Sequence, residues 1–238
     1  MNIVFIRHAE PDYSIDSLTE KGWREAKLLA ERISKWRVKE FYVSPLGRAK
    51  ATAGCTLDLL GREAVEYPWL REFEGHVVNS ATGSDHICWD LMPDHWTKDE
   101  GMYDRNNWAK SDIMLTSTND ISKECKTVYD GIDKILAAHG YEREDAYYRV
   151  RQHNDDTIVI FCHLGVTLVM LSRILGIAAP VLLHGFFIAP SSVTVLSSEE
   201  RVEGKAYFRC QVVGDTSHLY AAGEPVSASG YFAPTFSM

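Results

Sequence analysis

Long apolar runs and paired cysteines are both missing from this chain of 238 residues. No stretch reaches the roughly 18 uninterrupted apolar residues that a membrane helix needs. The first apolar segment meets a charge at Arg7, too early for a secretory signal. The five cysteines are odd in number, widely spaced and without a Cys-x-x-Cys pair. This pattern argues against a disulfide framework or a cysteine-based zinc site and predicts reduced thiols in a cytoplasmic protein.

Basic residues are also fewer than acidic residues. The 25 Lys and Arg residues face 33 Asp and Glu residues, which gives a formal net charge of -8. Nucleic-acid binding requires the opposite, a surface with clustered basic side chains. We therefore expect neither a nucleic acid nor a membrane as a partner. Any positive potential that attracts an anionic ligand must be local to a pocket.

Strand and helix signals alternate, which is typical of an α/β domain with a mostly parallel sheet. The pattern predicts strands over Asn2–Ile6, Phe41–Val43, Val65–Tyr67, Thr157–His163, Ser192–Ser197 and Tyr207–Val213. It predicts helices from an N-cap at Thr19 through Trp36, from an N-cap at Ser44 through Leu60, over Cys125–Leu136 and over Gly165–Leu175. A polar connection is expected over Tyr141–Asp156. The chain is therefore interpreted as one domain over 1–238, a three-layer α/β/α structure with a central sheet.

A long stretch from His76 to about Ile121 breaks the alternation. It is too aromatic for a disordered linker and too long for a simple loop, so we interpret it as an insertion that folds over the site as a cap. Its polar residues match no metal-ligand spacing, and no metal is predicted: these residues are His86, Asp90, Asp94 and His95. The tail at about 223–238 is expected to be irregular.

Two arginines and two histidines stand where predicted strands end or helices begin. Arg7 and His8 follow the first strand, Arg48 lies just inside a helix, and His163 ends a later strand. In α/β proteins such positions meet at one edge of the sheet. Guanidinium forks match the oxygens of a phosphoryl group, and an imidazole can accept that group as a nucleophile. The set predicts phosphoryl transfer without a metal or other cofactor, assisted by a carboxylic acid that protonates the leaving alkoxide.

These segments resemble the histidine phosphatase superfamily, the phosphoglycerate mutase-like proteins of branch 1. Arg7-His8-Ala9-Glu10 is similar to its Arg-His-Gly/Ala-Glu signature, and Ser44–Thr52 is similar to its second-arginine segment. Cys162-His163-Leu164-Gly165 resembles its late Ser-His-Gly-Gly. Leu18–Gly22 resembles the start of its first helix, and Gly214–Leu219 resembles the close of the last strands in its bacterial phosphatases. The matches cover most of the chain outside the insertion and the tail.

The resemblance implies that His8 is the phosphorylated nucleophile, with Arg7, Arg48 and His163 around the phosphate. The family's acid is a Glu in a Leu-x-Glu segment. Leu70-Arg71-Glu72 matches this segment and makes Glu72 the first candidate for the acid.

Three further residues bear on this site. One is an alternative candidate for the acid, and two depart from the family pattern. Glu74 follows so closely after Glu72 that it is a second candidate for the acid. Ser14 stands where many members have an Asn that contacts the phosphate, and its hydroxyl is expected to substitute. Leu164 replaces a glycine, so its amide is expected to donate to the phosphate, but a conformation open only to glycine would be strained there.

The leading hypothesis is a phosphatase that hydrolyses a phosphorylated small molecule through a phosphohistidine on His8. A cofactor-dependent phosphoglycerate mutase is the nearest alternative, although Trp69–Gly75 lacks the longer Arg- and Tyr-rich segment of the family's mutases. A non-enzymatic binder of phosphorylated ligands is the other alternative. Cys162 is expected to be a core residue and His218 a structural one. The substrate and the oligomeric state are left open.

Overall fold

The computed structural model describes residues 1–78, 83–231, 233 and 236. Its strands are β1 (Asn2–Arg7), β2 (Pro11–Asp12), β3 (Ser17–Leu18), β4 (Glu40–Val43), β5 (Val65–Glu66), β6 (His76–Val78), β7 (Asp85–Ile87), β8 (Tyr141–Glu144), β9 (Tyr147–Val150), β10 (Thr157–Cys162), β11 (Val193–Val202) and β12 (Lys205–Asp215). Its helices are α1 (Glu20–Ile33), α2 (Gly47–Leu60), α3 (Pro93–Trp96), α4 (Ile121–Ala138), α5 (Leu164–Leu175), α6 (Ala179–Gly185) and α7 (Ser217–Ala222).

The main sheet has eight strands in the order β5-β4-β10-β1-β11-β12-β9-β8. The strands β5, β4, β10 and β1 are parallel neighbours. From β1 onward every neighbouring pair is antiparallel. The mostly parallel α/β sheet predicted from the alternation is confirmed in the half that carries the candidate site, and an antiparallel meander extends the other half.

Side-chain alternation along β1 produces the three layers. Ile3 and Phe5 belong to a core cluster with residues of α4 and α5, such as Ile132. Val4 and Ile6 point to the opposite face and pack with residues of α1 and α2. Because successive strand side chains point to opposite faces, a strand that is apolar throughout must be covered on both sides. The predicted three-layer α/β/α architecture is confirmed.

The helix ends follow local chemistry where the sequence predicts them. The Thr19 hydroxyl accepts a hydrogen bond from the Gly22 amide at 3.0 Å and begins α1. Gly61 and Gly176 end α2 and α5 with φ of 60° and 69°. That left-handed conformation is favourable for glycine because it has no Cβ.

Two predicted helix boundaries are wrong. The first helix ends at Ile33, and Trp36 lies beyond it, packed beneath the Arg32 guanidinium. The second helix begins at Gly47 with Leu46 as its N-cap, so Ser44 is not the cap. The Ser44 hydroxyl accepts a hydrogen bond from the amide of Leu46, the residue before α2, at 3.2 Å and is also hydrogen-bonded to His163.

The second half of the chain contains more regular structure than its sequence predicts. The expected polar connection over 141–156 is largely a hairpin, β8 and β9, at the edge of the main sheet. Both strands face solvent on one side, and their charged residues hide the apolar alternation. The short helices α6 and α7 were not predicted, and β11 and β12 are longer than expected.

The insertion predicted over 76–121 forms a compact layer of short elements. The hairpin of β6 and β7 is followed by α3 and by 3-10 turns at Glu100–Tyr103, Trp108–Lys110 and Met114–Thr116. Trp108 and Met102 are fully buried and join the core cluster that includes α4 and α5. Positions 79–82 of this insertion and five positions of the predicted irregular tail lie outside the described residues, while 223–231 contains no helix or strand. Within the ranges given above, no helix has the length and apolar content to cross a membrane.

Candidate active site

The parallel pairing of β1 with β10 brings the two histidines together. Arg7 is in register with Cys162, and the His8 amide donates to the Cys162 carbonyl oxygen at 2.9 Å. The chain positions His163 directly after β10, so both imidazoles stand at the same carboxyl edge of the sheet. Their ring centroids are 5.1 Å apart. This is the juxtaposition that the two strand ends predict.

The His8 ring is buried and held in one tautomer. Its Nδ1 lies 2.8 Å from the carbonyl oxygen of Ala9, an atom that only accepts hydrogen bonds. Nδ1 therefore carries the proton and donates it, which leaves the lone pair on Nε2. Burial, followed by the neighbouring Arg7 guanidinium, lowers the pKa of His8 to about 3. The ring is consequently neutral at physiological pH, the state in which an imidazole can act as a nucleophile.

His163 is fully buried and is positioned by Ser44, a residue whose role the sequence did not reveal. The Ser44 hydroxyl and His163 Nε2 are 2.7 Å apart. Burial first, and then the charges of neighbouring groups including Arg48 and Arg7, lowers the pKa of His163 well below its usual range. A neutral ring keeps one N–H for donation and one nitrogen for acceptance.

Arg7 is almost fully buried, and its guanidinium is hydrogen-bonded to backbone carbonyl groups. Its Nη1 donates to the Ile188 oxygen at 2.8 Å, and its Nη2 donates to the Ser229 oxygen at 2.9 Å. The guanidinium carbon lies 5.6 Å from the centroid of the Phe187 ring, which in turn stacks on Tyr231. The tail, predicted only to be irregular, thus reaches back and fixes the first arginine of the site.

Arg48 is held by Asp16, a loop residue that no sequence motif indicated. Its Nη1 donates to Asp16 Oδ1 at 2.6 Å, and the Gly47 amide donates to Asp16 Oδ2 at 2.7 Å. A Cβ on Gly47 would lie 2.1 Å from the Asp16 carbonyl oxygen, so only glycine permits this approach. Burial acts to raise the pKa of Asp16, but the hydrogen bonds outweigh it and lower that pKa.

Three buried nitrogen atoms of this cluster have no hydrogen-bond partner among the described residues. They are Arg7 Nε, Arg48 Nε and His163 Nδ1. These side chains lie close to one another and to His8, since the charges of the two arginines help to lower the pKa values of both histidines. Buried polar groups are normally paired, and leaving one unpaired costs about 1–3 kcal/mol. A ligand with several acceptor oxygens would pair them.

The two candidate acids are placed differently. Glu72 Oε1 accepts from the Phe73 amide at 2.8 Å and from the Val166 amide at 2.9 Å, which joins it to the N-terminal turn of α5. Burial raises the pKa of Glu72, although these amides and the charge of Arg7 act in the opposite direction. Glu74 is exposed and forms an ion pair with Arg71 at 2.9 Å. The carboxyl group with a raised pKa beside the cluster is Glu72.

The insertion reaches this candidate acid through Trp89. A Cβ built on Gly165 would lie 2.9 Å from the Trp89 ring and 3.0 Å from Glu72 Oε1. The indole and the carboxylate therefore both press against the start of α5. Gly165 is required there by the close approach of its neighbours.

Ser14 and Leu164, the two other residues predicted to contact a phosphate, lie in different surroundings. Ser14 is exposed, and its hydroxyl and amide donate to Asp12 Oδ1 at 2.5 Å and 3.0 Å. Tyr13, its neighbour, lies over the Arg48 guanidinium, 5.4 Å from carbon to ring centroid. Leu164 begins α5 without a positive φ, so the replaced glycine causes no backbone strain. The contacts of Ser14 and of the Leu164 amide with a phosphate remain predictions.

The cysteines take no part in this cluster. Cys162 is fully buried, its sulfur is 3.1 Å from the Thr167 hydroxyl, and burial raises its pKa to about 12. A thiol with so high a pKa is a poor nucleophile, as expected for a core residue. All five cysteines are free thiols. Among the described residues, no three His, Cys, Asp or Glu side chains are grouped to hold a metal ion.

Comparison with known proteins identifies the family. The model of the histidine phosphatase superfamily (branch 1) matches residues 3–140, more than half of the chain. The chain belongs to this superfamily. A relative from Serratia proteamaculans, named "Probable phosphoglycerate mutase GpmB", is 31% identical over 155 residues, which cover 59% of this chain and 70% of the relative.

Solved structures of several phosphatases share the fold. A mycobacterial glucosyl-3-phosphoglycerate phosphatase aligns with a TM-score of 0.60 at 17% identity, over 90% of this chain and 99% of its own. The phosphoserine phosphatase of Entamoeba histolytica, solved with 3-phosphoglyceric acid, aligns with a TM-score of 0.58 at 17% identity, over 92% of this chain and 98% of its own. The alpha-ribazole phosphatase of Shigella flexneri aligns with a TM-score of 0.58 at 18% identity, over 90% of this chain and 96% of its own. At such identities the likeness supports the fold and leaves the substrate open.

Proposed function

We propose that this histidine phosphatase superfamily member is a metal-independent phosphatase that hydrolyses a small phosphomonoester through a phosphohistidine on His8. The observation that carries the proposal is the group of unpaired buried nitrogens on Arg7, Arg48 and His163 beside a neutral His8. A phosphoryl group offers several anionic oxygens to such donors. The fold relatives named as phosphatases of phosphoserine and of glucosyl-3-phosphoglycerate support a small substrate.

In the first step, His8 Nε2 attacks phosphorus while Arg7 and Arg48 bind the equatorial oxygens. The phosphorus–oxygen bond to the leaving group breaks, and a nitrogen–phosphorus bond forms. Positive charge fixed in advance around developing negative charge is the largest source of acceleration in such sites. His163 adds a donor from its unpaired nitrogen, held in orientation by Ser44.

Glu72 completes both steps as acid and then as base. Its proton passes to the leaving alkoxide in the first step, which suits a carboxyl group with a raised pKa. The resulting carboxylate takes a proton from water in the second step, and the hydroxide displaces His8 from phosphorus. Inorganic phosphate leaves, and both His8 and Glu72 return to their starting protonation states.

The test is hydrolysis of p-nitrophenyl phosphate in the presence of EDTA, with the wild-type protein beside His8→Ala. We expect activity in the wild type and at least a thousandfold loss in the variant, because the phosphoryl acceptor is gone. Thermal unfolding of both proteins checks that the variant is folded. Unchanged activity in a folded His8→Ala protein would rule out the proposed mechanism.

A phosphoglycerate mutase is the second candidate, favoured by the name of the Serratia relative. Such an enzyme would retain the phosphoryl group on His8 and transfer it to a second hydroxyl of the substrate. We expect phosphate release to exceed isomerisation when 3-phosphoglycerate is supplied with a bisphosphoglycerate primer. Isomerisation faster than release would assign the mutase activity instead.

A further inference from the structure

A hydrogen-bonded chain connects the end of β12 to the backbone of His8. Asp215, the last residue of β12, forms an ion pair with Arg32 of α1 at 2.5 Å. Arg32 Nη1 is 3.5 Å from His218 Nδ1, and His218 Nε2 is 3.2 Å from the Ser191 hydroxyl. The Ser191 amide then donates to the His8 carbonyl oxygen at 3.1 Å. His218 was expected to be a structural histidine, and no part of the proposed mechanism uses it.

The direction of these hydrogen bonds follows from Arg32. A guanidinium only donates, so His218 Nδ1 accepts and Nε2 carries the ring proton. That N–H donates to the Ser191 oxygen. Burial, followed by the charge of Arg32, lowers the pKa of His218 to about 4, so the ring is neutral near pH 7. Arg32, which belongs to α1 and not to the candidate site, thus selects one tautomer of the His218 ring.

Ser191 has an unusual backbone conformation at the point where the chain reaches the nucleophile. It is fully buried, and its φ of 57° lies in the left-handed region, which costs a non-glycine residue free energy. Its neighbour Ser192 accepts a hydrogen bond from the Arg7 amide at 3.4 Å. The segment 191–192 therefore binds the main chain of both Arg7 and His8, immediately before β11 pairs with β1.

We propose that His218 is a positioning residue that acts through Ser191 on His8. Its Nε2–H holds Ser191 in the left-handed conformation, and Ser191 in turn fixes the end of β1 from which His8 projects. The inference rests on the proposed function, because it assigns the alignment of the same nucleophile. A displacement of about 1 Å at a reacting group lowers turnover by roughly a hundredfold.

The first experiment compares His218→Leu with His218→Gln. Leucine removes the donor, whereas the glutamine amide places an N–H near the position of Nε2. We expect kcat for p-nitrophenyl phosphate to fall at least tenfold in His218→Leu, with KM changed less than threefold and with most of kcat restored in His218→Gln. The matched control is His139→Leu, which removes another buried, hydrogen-bonded histidine, bonded to Tyr42 rather than to the site, and should leave kcat unchanged.

A second pair of variants keeps the test decisive if His218→Leu does not fold. Ser191→Gly loses the hydroxyl but adopts the left-handed conformation freely. Ser191→Ala loses the hydroxyl and keeps the strain. We expect kcat to fall at least tenfold in Ser191→Ala and to fall less in Ser191→Gly, because glycine needs no hydrogen bond to hold a positive φ. Wild-type kcat in a folded Ser191→Ala protein would overturn the proposal, since the bond to His218 would then be dispensable.

A measurement that needs no turnover separates this inference from the proposed function. Hydrogen exchange of the Ser191 amide reports its bond to the His8 carbonyl directly. We expect exchange at least tenfold faster in His218→Leu than in the wild type, and unchanged in His139→Leu. Equal protection of Ser191 in wild type and His218→Leu would overturn the positioning role. An inactive wild type would instead count against the phosphatase.

Discussion

At the scale of single residues, the site is built from groups whose protonation states are fixed by one or two neighbours. The Ala9 carbonyl leaves the lone pair of His8 on Nε2, Ser44 orients His163, and Asp16 holds Arg48. The sequence identified the histidines and arginines because they follow strands or open a helix. It did not reveal Ser44 or Asp16, whose partners are distant in sequence, and Pro45 after Ser44 imitates a helix start.

The identity of the acid is tested by a pair of substitutions. Glu72→Gln removes the transferable proton but keeps an oxygen that accepts from the Phe73 and Val166 amides. We expect hydrolysis of an alkyl phosphate to fall by about 10²–10⁴-fold. Hydrolysis of p-nitrophenyl phosphate should fall much less, because p-nitrophenolate leaves without protonation.

The matched control for the acid is Glu74→Gln. Glu74 is exposed and paired with Arg71, so its amide variant should hydrolyse both substrates at nearly the wild-type rate. The selective loss with the alkyl phosphate in Glu74→Gln instead of Glu72→Gln would assign the acid to Glu74. The comparison needs only steady-state rates on the two substrates.

Ser44→Ala tests the orientation of His163. The substitution removes the 2.7 Å hydrogen bond and leaves a buried ring nitrogen unpaired, at a cost of about 1–3 kcal/mol in stability. We expect kcat to fall roughly tenfold, since a mobile imidazole binds the phosphoryl oxygens less well. Ser34→Ala is the control, because that hydroxyl also donates within the chain but is exposed at the end of α1. An unchanged kcat in Ser44→Ala would remove Ser44 from the site.

At the scale of helices and strands, the sequence predicts the elements whose apolar residues follow a clear period. It does not predict the elements that lack such a period. The strands β1 and β10 and the helix α5 are apolar throughout or strongly periodic, and each was found. The hairpin of β8 and β9 was missed because its edge position tolerates charged residues, with mainly Tyr141 and Tyr148 turned into the core. The contact of Ser229 with Arg7 spans 222 residues, and no local pattern encodes it.

The start of α5 gives a prediction about glycine. In Gly165→Ala, the new methyl group would press on Trp89 and on Glu72 Oε1. We expect destabilisation by about 1–3 kcal/mol and a clear fall in kcat. Gly54→Ala, within α2, meets nothing within 4 Å and should instead stabilise the protein by about 0.5–1 kcal/mol. Denaturant unfolding and kcat measured for both variants check this, and an active, stable Gly165→Ala protein would contradict it.

At the scale of the whole molecule, three buried histidines couple folding to pH. Burial lowers the pKa of His8 to about 3 and of His218 to about 4, and lowers that of His163 well below its usual range. The unfolded chain binds these protons more readily than the folded one. Their contribution to stability is therefore complete above about pH 6.5 and is lost as the pH falls toward the folded pKa values.

We expect the free energy of unfolding to decrease between pH 7 and pH 4, by up to about 3 kcal/mol from His218 alone. Urea unfolding at a series of pH values measures the slope. His218→Gln should flatten it, because the unfolded chain then no longer binds the proton at position 218 that the folded chain excludes. His153→Asn, at an exposed ring, is the control. A slope equal to the wild type in His218→Gln would contradict this linkage.

If His8 accepts the phosphoryl group, the phosphorylated enzyme can be trapped during turnover. The enzyme is mixed with a phosphomonoester, quenched in alkali within one turnover, digested and analysed by mass spectrometry. We expect one phosphoryl group on the peptide that contains His8, stable in alkali and lost in acid, with the peptide that contains His163 unmodified. Turnover with no phosphoryl group on His8, or with the group on another residue, would contradict it.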